Sequence, residues 1–300
     1  MQNFEIEPLT MCYHAEVMNR YSDAWNTAKH EASLQGLKII EHGWEQHVII
    51  DETNSVVYRY PRHESAANKL ADEVSVLGEL SKIDWSVQIP RIIEYTEDFT
   101  AYQYIDGGVL NHANLAHLHH DDFEQIGAQL GTFLATLHNA PKEVVSQKTT
   151  KQTMSLFEYY QKRIDANPSS IHYQRSKQDL DSLAEATGNS GPEVVVHGDL
   201  HGLNMVVDMD KRELKGVIDF SELEIGSSEQ DFRKIFMADD RLLEPAVQAF
   251  GNASGQDLDV DTIKLWAYVN EWANLCHFSA QPGNETYKRA EMHLRRWGQI

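Results

Sequence analysis

Apolar residues recur along this chain in two rhythms, and the change from one to the other divides it. Between Leu37 and Tyr104 the apolar runs are short and rich in β-branched and aromatic residues. "LKIIEHG" and "QHVIID" flank a Gly-Trp turn, and "DETN" leads into "SVVYRYP", a pattern that predicts three adjacent antiparallel strands. "HESAANKLADEVSVLGELSK" then places Leu70, Val74 and Leu77 at i, i+4 and i+7, the template of an amphipathic helix. Glu73 falls on that apolar stripe, where a carboxylate is costly to bury unless a basic group meets it. "PRIIEYTEDFTAYQYIDGG" supplies two more strands and ends on Gly107 and Gly108, a hinge signal.

Past the hinge the period becomes 3.6. Ile126, Leu130, Phe133, Leu134 and Leu137 form one long helical stripe that ends near His138, Asn139 and Pro141. Helices are expected at "SLFEYYQKRI", stopping before Pro168, and at "YQRSKQDLDSLAEA", ending at Gly188. "VVVHGDLHGLNMVV", Val194 to Val207, and "ELKGVIDF" interrupt the helices with strands, the latter reached through the turn "DMDK". From Glu229 onward the pattern is again helical, with Trp266, Trp272 and Trp297 as core candidates. There is no internal repeat and no low-complexity linker. The expectation is an α+β fold of two lobes: residues 1–104 as a small antiparallel-sheet lobe with one helix, and residues 105–300 as a larger, mostly helical lobe.

Charge narrows the classes of partner. Lys and Arg number 26 against 46 Asp and Glu, a net charge of -20, which repels nucleic-acid phosphates and anionic lipid heads and attracts cations. Two cysteines, Cys12 and Cys276, lack metal-ligand spacing and point to a reducing compartment. The first ten residues carry Glu5 and Glu7 with no basic start and no apolar core, and no apolar run reaches the ~18 residues of a membrane span. A cytoplasmic protein without a nucleic-acid or membrane partner is expected.

The chemistry concentrates in "HGD", in Asn204 five residues after Asp199, and in Asp219 of "VIDF". These groups are expected at one end of a small sheet. Hard Mg2+ takes oxygen ligands, few of them from protein, and shares them with substrate phosphates. Asn204 and Asp219 fit that requirement. In phosphoryl transfer a remaining carboxylate orients the acceptor hydroxyl and takes its proton, and Asp199 is the candidate. Arg59 on the third strand could reach phosphate oxygens with Glu73 holding it in place, which would explain the acid on the apolar stripe; Arg62 competes for that role.

With "HGDLHGLN" followed by "VIDF", the sequence resembles the aminoglycoside phosphotransferase family of small-molecule kinases, which has the protein-kinase-like fold. The likeness runs through most of the chain in order: "HGWEQHVII" resembles the nucleotide loop, "VVYRYPR" the third strand, "ADEVSVL" the helix with the paired Glu, "YQYIDGG" the hinge, "IGAQLGTFLATLH" the long helix, and "IDFSELEIGSSEQDF" the metal segment with its downstream Asp231. The resemblance implies ATP or GTP as co-substrate with Mg2+, and nucleotide contacts from Gly43, Arg59, Glu73, Tyr102, Gln103, Tyr104 and Ile105. Arg59 in place of Lys resembles the branch acting on aminoglycoside 2''-hydroxyls and the macrolide 2'-kinases, and Tyr102 takes a gatekeeper-like place that in this branch accompanies GTP use. Gly43 is the only glycine of the nucleotide loop, a departure from protein kinases.

The resemblance and the charge together suggest a cationic acceptor, an aminoglycoside first and a macrolide second, with Glu222, Glu224, Asp239, Asp240, Glu271 and Trp272 as candidate substrate contacts. A metabolic kinase of the choline, homoserine or sugar-amine type, and a nucleotide-binding pseudokinase, are the alternatives. His197 reads as a structural residue bonded to nearby backbone, and His112, His117, His119 and His120 as a polar helix entry, since their spacing matches no zinc pattern.

Overall fold

The computed structural model describes residues 8–149, 154–187 and 193–300. Gly188, expected to end a helix, and Glu5 and Glu7 of the opening stretch lie outside them.

The chain runs α1 (Pro8–Gln35), β1 (Lys38–Ile40), β2 (Gln46–Asp51), β3 (Val56–Pro61), α2 (Glu64–Leu80), β4 (Ile92–Tyr95), β5 (Thr100–Gln103), β6 (Gly108–Val109), α3 (His112–Leu115) and α4 (His120–His138). It continues through α5 (Leu156–Asp165), α6 (Tyr173–Thr187), β7 (Val194–Val196), β8 (Met205–Asp208), β9 (Glu213–Val217), β10 (Glu224–Gly226), α7 (Glu229–Ala238), α8 (Leu243–Ser254), α9 (Val260–His277) and α10 (Glu285–Arg296).

The first five strands form one antiparallel sheet in the order β1-β2-β3-β5-β4. Alternation gives it two distinct faces. Ile49 and Tyr58 pair across β2 and β3 on one face, and Val48 and Arg59 pair on the other. The first face is covered by α1, which the hydrophobic pattern did not announce: Trp25 stacks on His47 with ring centroids 4.3 Å apart, and Ala32 packs with Ile49. The second face meets α2, whose Ala66, Leu70, Glu73, Val76, Leu77 and Leu80 are buried, so the stripe turns on Val76 where Val74 was expected. The sheet lobe thus carries two helices, one of them α1.

Beyond it, the fold is mostly helical, and "VVVHGDLHGLNMVV" proves to feed two sheets. β7 pairs with β10, while β8 pairs with β9 and with β6. The expected single small sheet is therefore two short ones, because the loop from Val196 to Met205 turns the chain away from the first partner. One apolar cluster joins both lobes, from Val76 and Leu77 of α2 through Phe133 and Leu134 of α4 to Phe232 and Phe250. A second ties α5 and α6 to α9 through Tyr160, Ile164, Leu180 and Trp266, and Trp272, Leu275 and Leu294 make a third. Burying each such aromatic or leucine is worth ~2 kcal/mol or more.

Helix α4 packs along α8 at backbone distance. Gly131 makes this possible, since a Cβ there would overlap the Ala246 carbonyl. The histidines before α4 act as its entry: the His119 backbone N–H donates to Asp122 Oδ2 at 2.7 Å. Cys276 is buried and free. No helix among the described residues is long and apolar enough to cross a membrane.

Candidate active site

Two loops carry the candidate base and metal ligands, and buried hydrogen bonds fix both. Asp231, fully buried near the start of α7, accepts the His197 backbone N–H at 2.9 Å, the Gly198 N–H at 3.0 Å and His138 Nε2 at 3.0 Å. Burial opposes the charge on Asp231, yet His138, His197 and the backbone N–H keep its carboxyl below the usual range. Gly198 sits at φ +79°, and a side chain there would also run into the Glu222 carbonyl. Only glycine lets the chain turn at that point and deliver Asp199 into the cleft.

His197 closes the arrangement as a structural group, in agreement with its sequence reading. Its Nδ1 accepts the Asp199 N–H at 3.3 Å, so Nε2 holds the proton and donates to the Ile218 carbonyl at 3.2 Å. Burial holds this imidazole below its usual pKa, keeping it neutral. The Asp199 loop and the Asp219 loop are thereby stitched to one another, and the Ile218 N–H adds a bond to the Asn204 carbonyl at 3.0 Å.

Asn204 is buried, and its amide N–H donates to the Asp199 carbonyl at 2.9 Å. That orientation leaves Oδ1 with no partner among the described residues. Asp219, two residues past β9, adopts φ 68° and ψ 72°, a left-handed conformation in which Asp is among the few side chains tolerated. Its Oδ1 accepts from Arg59 Nη2 at 3.1 Å and from Ser221 Oγ at 2.9 Å, and Oδ2 has no partner among the described residues. Burial works against its ionisation, but Arg59 and Ser221 bring its pKa down to about 2. An amide oxygen and a permanently ionised carboxylate are hard donors of the kind Mg2+ takes.

Arg59 of β3 reaches from the sheet to the Asp219 loop. Its Nη1 donates to both oxygens of Glu73, at 3.0 and 2.7 Å, and its Nε to Gln46. Glu73 is fully buried and also accepts from Tyr102 Oη at 3.0 Å and from the Phe220 N–H at 3.0 Å. The acid on the apolar stripe thus has its basic partner. Arg62 is otherwise engaged, donating to the carbonyls of Gly43 and Glu41 at 2.8 and 2.9 Å and so shaping the loop before β2. Tyr102 is buried beneath the Arg59 guanidinium, 5.6 Å from it; Gln103 is exposed, Tyr104 half-buried and Ile105 buried at the lobe junction.

Asp199 itself is paired. Lys234 of α7 places Nζ 2.8 Å from Oδ1, and His201 Nε2 lies 3.3 Å from Oδ2. Lys234 carried no signal in the sequence. Two further lysines went unread: Lys69 of α2 bridges Glu45 and Glu222 at 2.7 Å each, and Lys148 donates to the carbonyls of Ser221 and Leu223 at 2.8 and 3.0 Å.

The expected acceptor residues fall into different settings. Glu271 is fully buried and committed to His293 at 2.7 Å and Asn274 at 3.0 Å, and Trp272 is core, so neither presents a surface to an acceptor. Asp239 is buried against Arg241 at 2.9 Å and Arg296 at 3.2 Å, and Asp240 pairs with Arg296, at the far end of α7 from Asp231. Glu222 is held by Lys69. Glu224, half-buried beside β7, is raised to about 7 by burial and the nearby Asp231.

A model of the phosphotransferase enzyme family matches residues 36–271. By sequence, no curated protein matches the chain. Among solved structures the fold is similar to a 2''-type aminoglycoside phosphotransferase in its GDP and kanamycin complex, at TM-score 0.70 and 17% identity over 88% of this chain and 93% of that one. It is likewise similar to macrolide 2'-phosphotransferase type I, at 0.66 and 17% over 90% and 96%. A macrolide 2'-phosphotransferase from Brachybacterium faecium aligns at 0.65 and 17% over 86% and 91%.

Proposed function

The chain belongs to the phosphotransferase enzyme family, and from that premise we propose that it moves the terminal phosphoryl group of ATP or GTP to a hydroxyl of a small molecule. The carrying observation is the convergence of Asp199, Asn204 and Asp219 on two loops stitched by His197, opposite the Arg59–Glu73 pair. Residues 1–104 are read as the nucleotide lobe and residues 105–300 as the catalytic and acceptor lobe. Mg2+ bound by Asn204 and Asp219 would neutralise charge on the phosphates. Arg59, oriented by Glu73, would meet phosphate oxygens, and the loop around Gly43 with the Tyr102–Ile105 segment would border the nucleotide. Asp199 would orient the acceptor hydroxyl and take its proton as the new O–P bond forms.

Aminoglycosides and macrolides head the acceptors to be tried, because similar structures are named for them and the net charge of -20 draws cations. Of the acidic residues expected to contact an acceptor, Glu222 and Glu224 lie on the Asp219 segment. The ammonium of Lys234 beside the base supports a second reading, a metabolic kinase whose acceptor has no amine next to its hydroxyl. A Mg2+-dependent transfer screen with ATP and GTP against aminoglycosides, macrolides, amino alcohols and hydroxy acids separates these. Asp199→Ala is expected to abolish transfer while nucleotide still raises Tm. Nucleotide-dependent stabilisation with no turnover on any acceptor, water included, would instead support a binding protein.

A further inference from the structure

Lys234 is foreign to the chemistry assigned so far. It lies on α7 one turn after Asp231, the residue that anchors the backbone of the base loop, and its Nζ sits 2.8 Å from Asp199 Oδ1. Its side chain is only 22% exposed, and its remaining N–H donors have no partner among the described residues. Burial and the neighbouring Arg233 lower its pKa from the usual lysine value, so the charge is held at a cost that Asp199 offsets. A lysine needed only for solubility would not be kept there.

Building on the kinase reading above, we propose that Lys234 is the positioning residue of the base. One helix then fixes both parts of Asp199: Asp231 holds the backbone of its loop, and Lys234 holds its carboxylate. With Oδ1 clamped, rotation about Cβ–Cγ stops, and the lone pairs left by Lys234 and His201 present one face to the incoming hydroxyl. As that hydroxyl oxygen bonds phosphorus, the bridging P–O bond breaks, its electron pair leaves with the nucleoside diphosphate, and the hydroxyl proton passes to Asp199.

Hydrolysis of GTP or ATP, with water as acceptor, tests this without a known substrate. Lys234→Met is expected to lower kcat about ten- to a hundredfold with nucleotide KM within about twofold, because misplacing a catalytic group costs rate and not ground-state binding. Lys234→Arg should recover much of the loss, and adding Lys234→Met to Asp199→Asn should slow the enzyme no further. Nucleotide-dependent stabilisation confirms that each variant is folded, and Lys234→Gln replaces Lys234→Met if that variant does not fold. Unchanged kcat in Lys234→Met, or kcat and nucleotide binding lost together with no rescue by arginine, overturns the assignment. A wild-type chain with neither hydrolysis nor transfer overturns the kinase reading beneath it, which active wild type with inactive Asp199→Ala sustains.

Discussion

Replacing Glu73 by leucine removes the α2 carboxylate that pairs with Arg59 and tests whether that pair, and not apolar packing, sets the junction of the lobes. Four hydrogen bonds end on that carboxylate: two from Arg59 Nη1, one from Tyr102 Oη and one from the Phe220 N–H. The leucine strands the last two donors in the interior, at ~1 kcal/mol or more each. It also takes a partner from Arg59, which keeps Asp219 and Gln46 and so is not wholly uncompensated. Burial raises the Glu73 carboxyl above its usual range against the pull of Arg59, so part of the loss is returned as relieved desolvation. The balance is ~4 kcal/mol, within the ~3–5 measured when one member of a buried pair is removed. Urea unfolding followed by tryptophan fluorescence and far-UV circular dichroism gives the value, provided the two transitions coincide. Arg59→Leu in the same chain should return ~2 kcal/mol, because an apolar pair replaces a buried cation left with only part of its partners. A single-variant loss below ~1 kcal/mol, or additivity within ~0.5 kcal/mol, would refute this account.

Gly198→Ala should cost at least ~2 kcal/mol and most of the turnover, from the left-handed backbone and the overlap with Glu222; Tm and initial rates check it. Asp231→Asn should cost ~2–3 kcal/mol at neutral pH by mismatching an amide to the N–H donors of His197 and Gly198. Because the folded carboxyl of Asp231 titrates below its unfolded value, its contribution is present at neutral pH and lost as pH falls through the folded pKa, so the variant should show a shallower fall of Tm in acid. Glu224 behaves in the opposite sense. Raised from 4.5 to about 7, it binds a proton more tightly when folded, so wild-type stability falls as pH rises across that interval. Glu224→Gln should gain on wild type over the same interval by ~2 kcal/mol, and a constant difference in urea midpoints between pH 4.5 and 8 would count against it.

Local patterns made much of this molecule readable before its structure. The strands from Leu37 to Tyr104 alternate, α4 keeps a clean 3.6 period, and Glu73 announced itself as a misfit that called for a basic partner, with Arg59 the candidate and Glu64 or Glu79 as the alternative acids. HGD, Asn204 and Asp219 were legible because one short stretch carries them. What the sequence hid depends on partners far along the chain. α1 has few apolar residues at regular spacing, and Trp25 finds its place only against His47 of the folded sheet. β7 pairs with β10 rather than with the neighbouring β8, which no local rhythm encodes. His138 and Asp231 stand 93 residues apart and Lys234 and Asp199 stand 35 apart, so neither pair leaves a motif. Glu271 looked available because its partner His293 arrives on another helix.

The seam at Gly131 decides which part of the enzyme is the reference frame. Helices whose backbones touch cannot roll or slide without breaking contact along their length, so α4 and α8 move as one piece. His138 closes α4 and grips Asp231, which grips the loop of Asp199; that loop is therefore geared to the α4–α8 seam. Arg59 belongs to the sheet and Glu73 to the α2 helix packed on it. The segment Ile218–Phe220 is the meeting point of the two frames, held by His197 from the helical side and by Arg59 and Glu73 from the other.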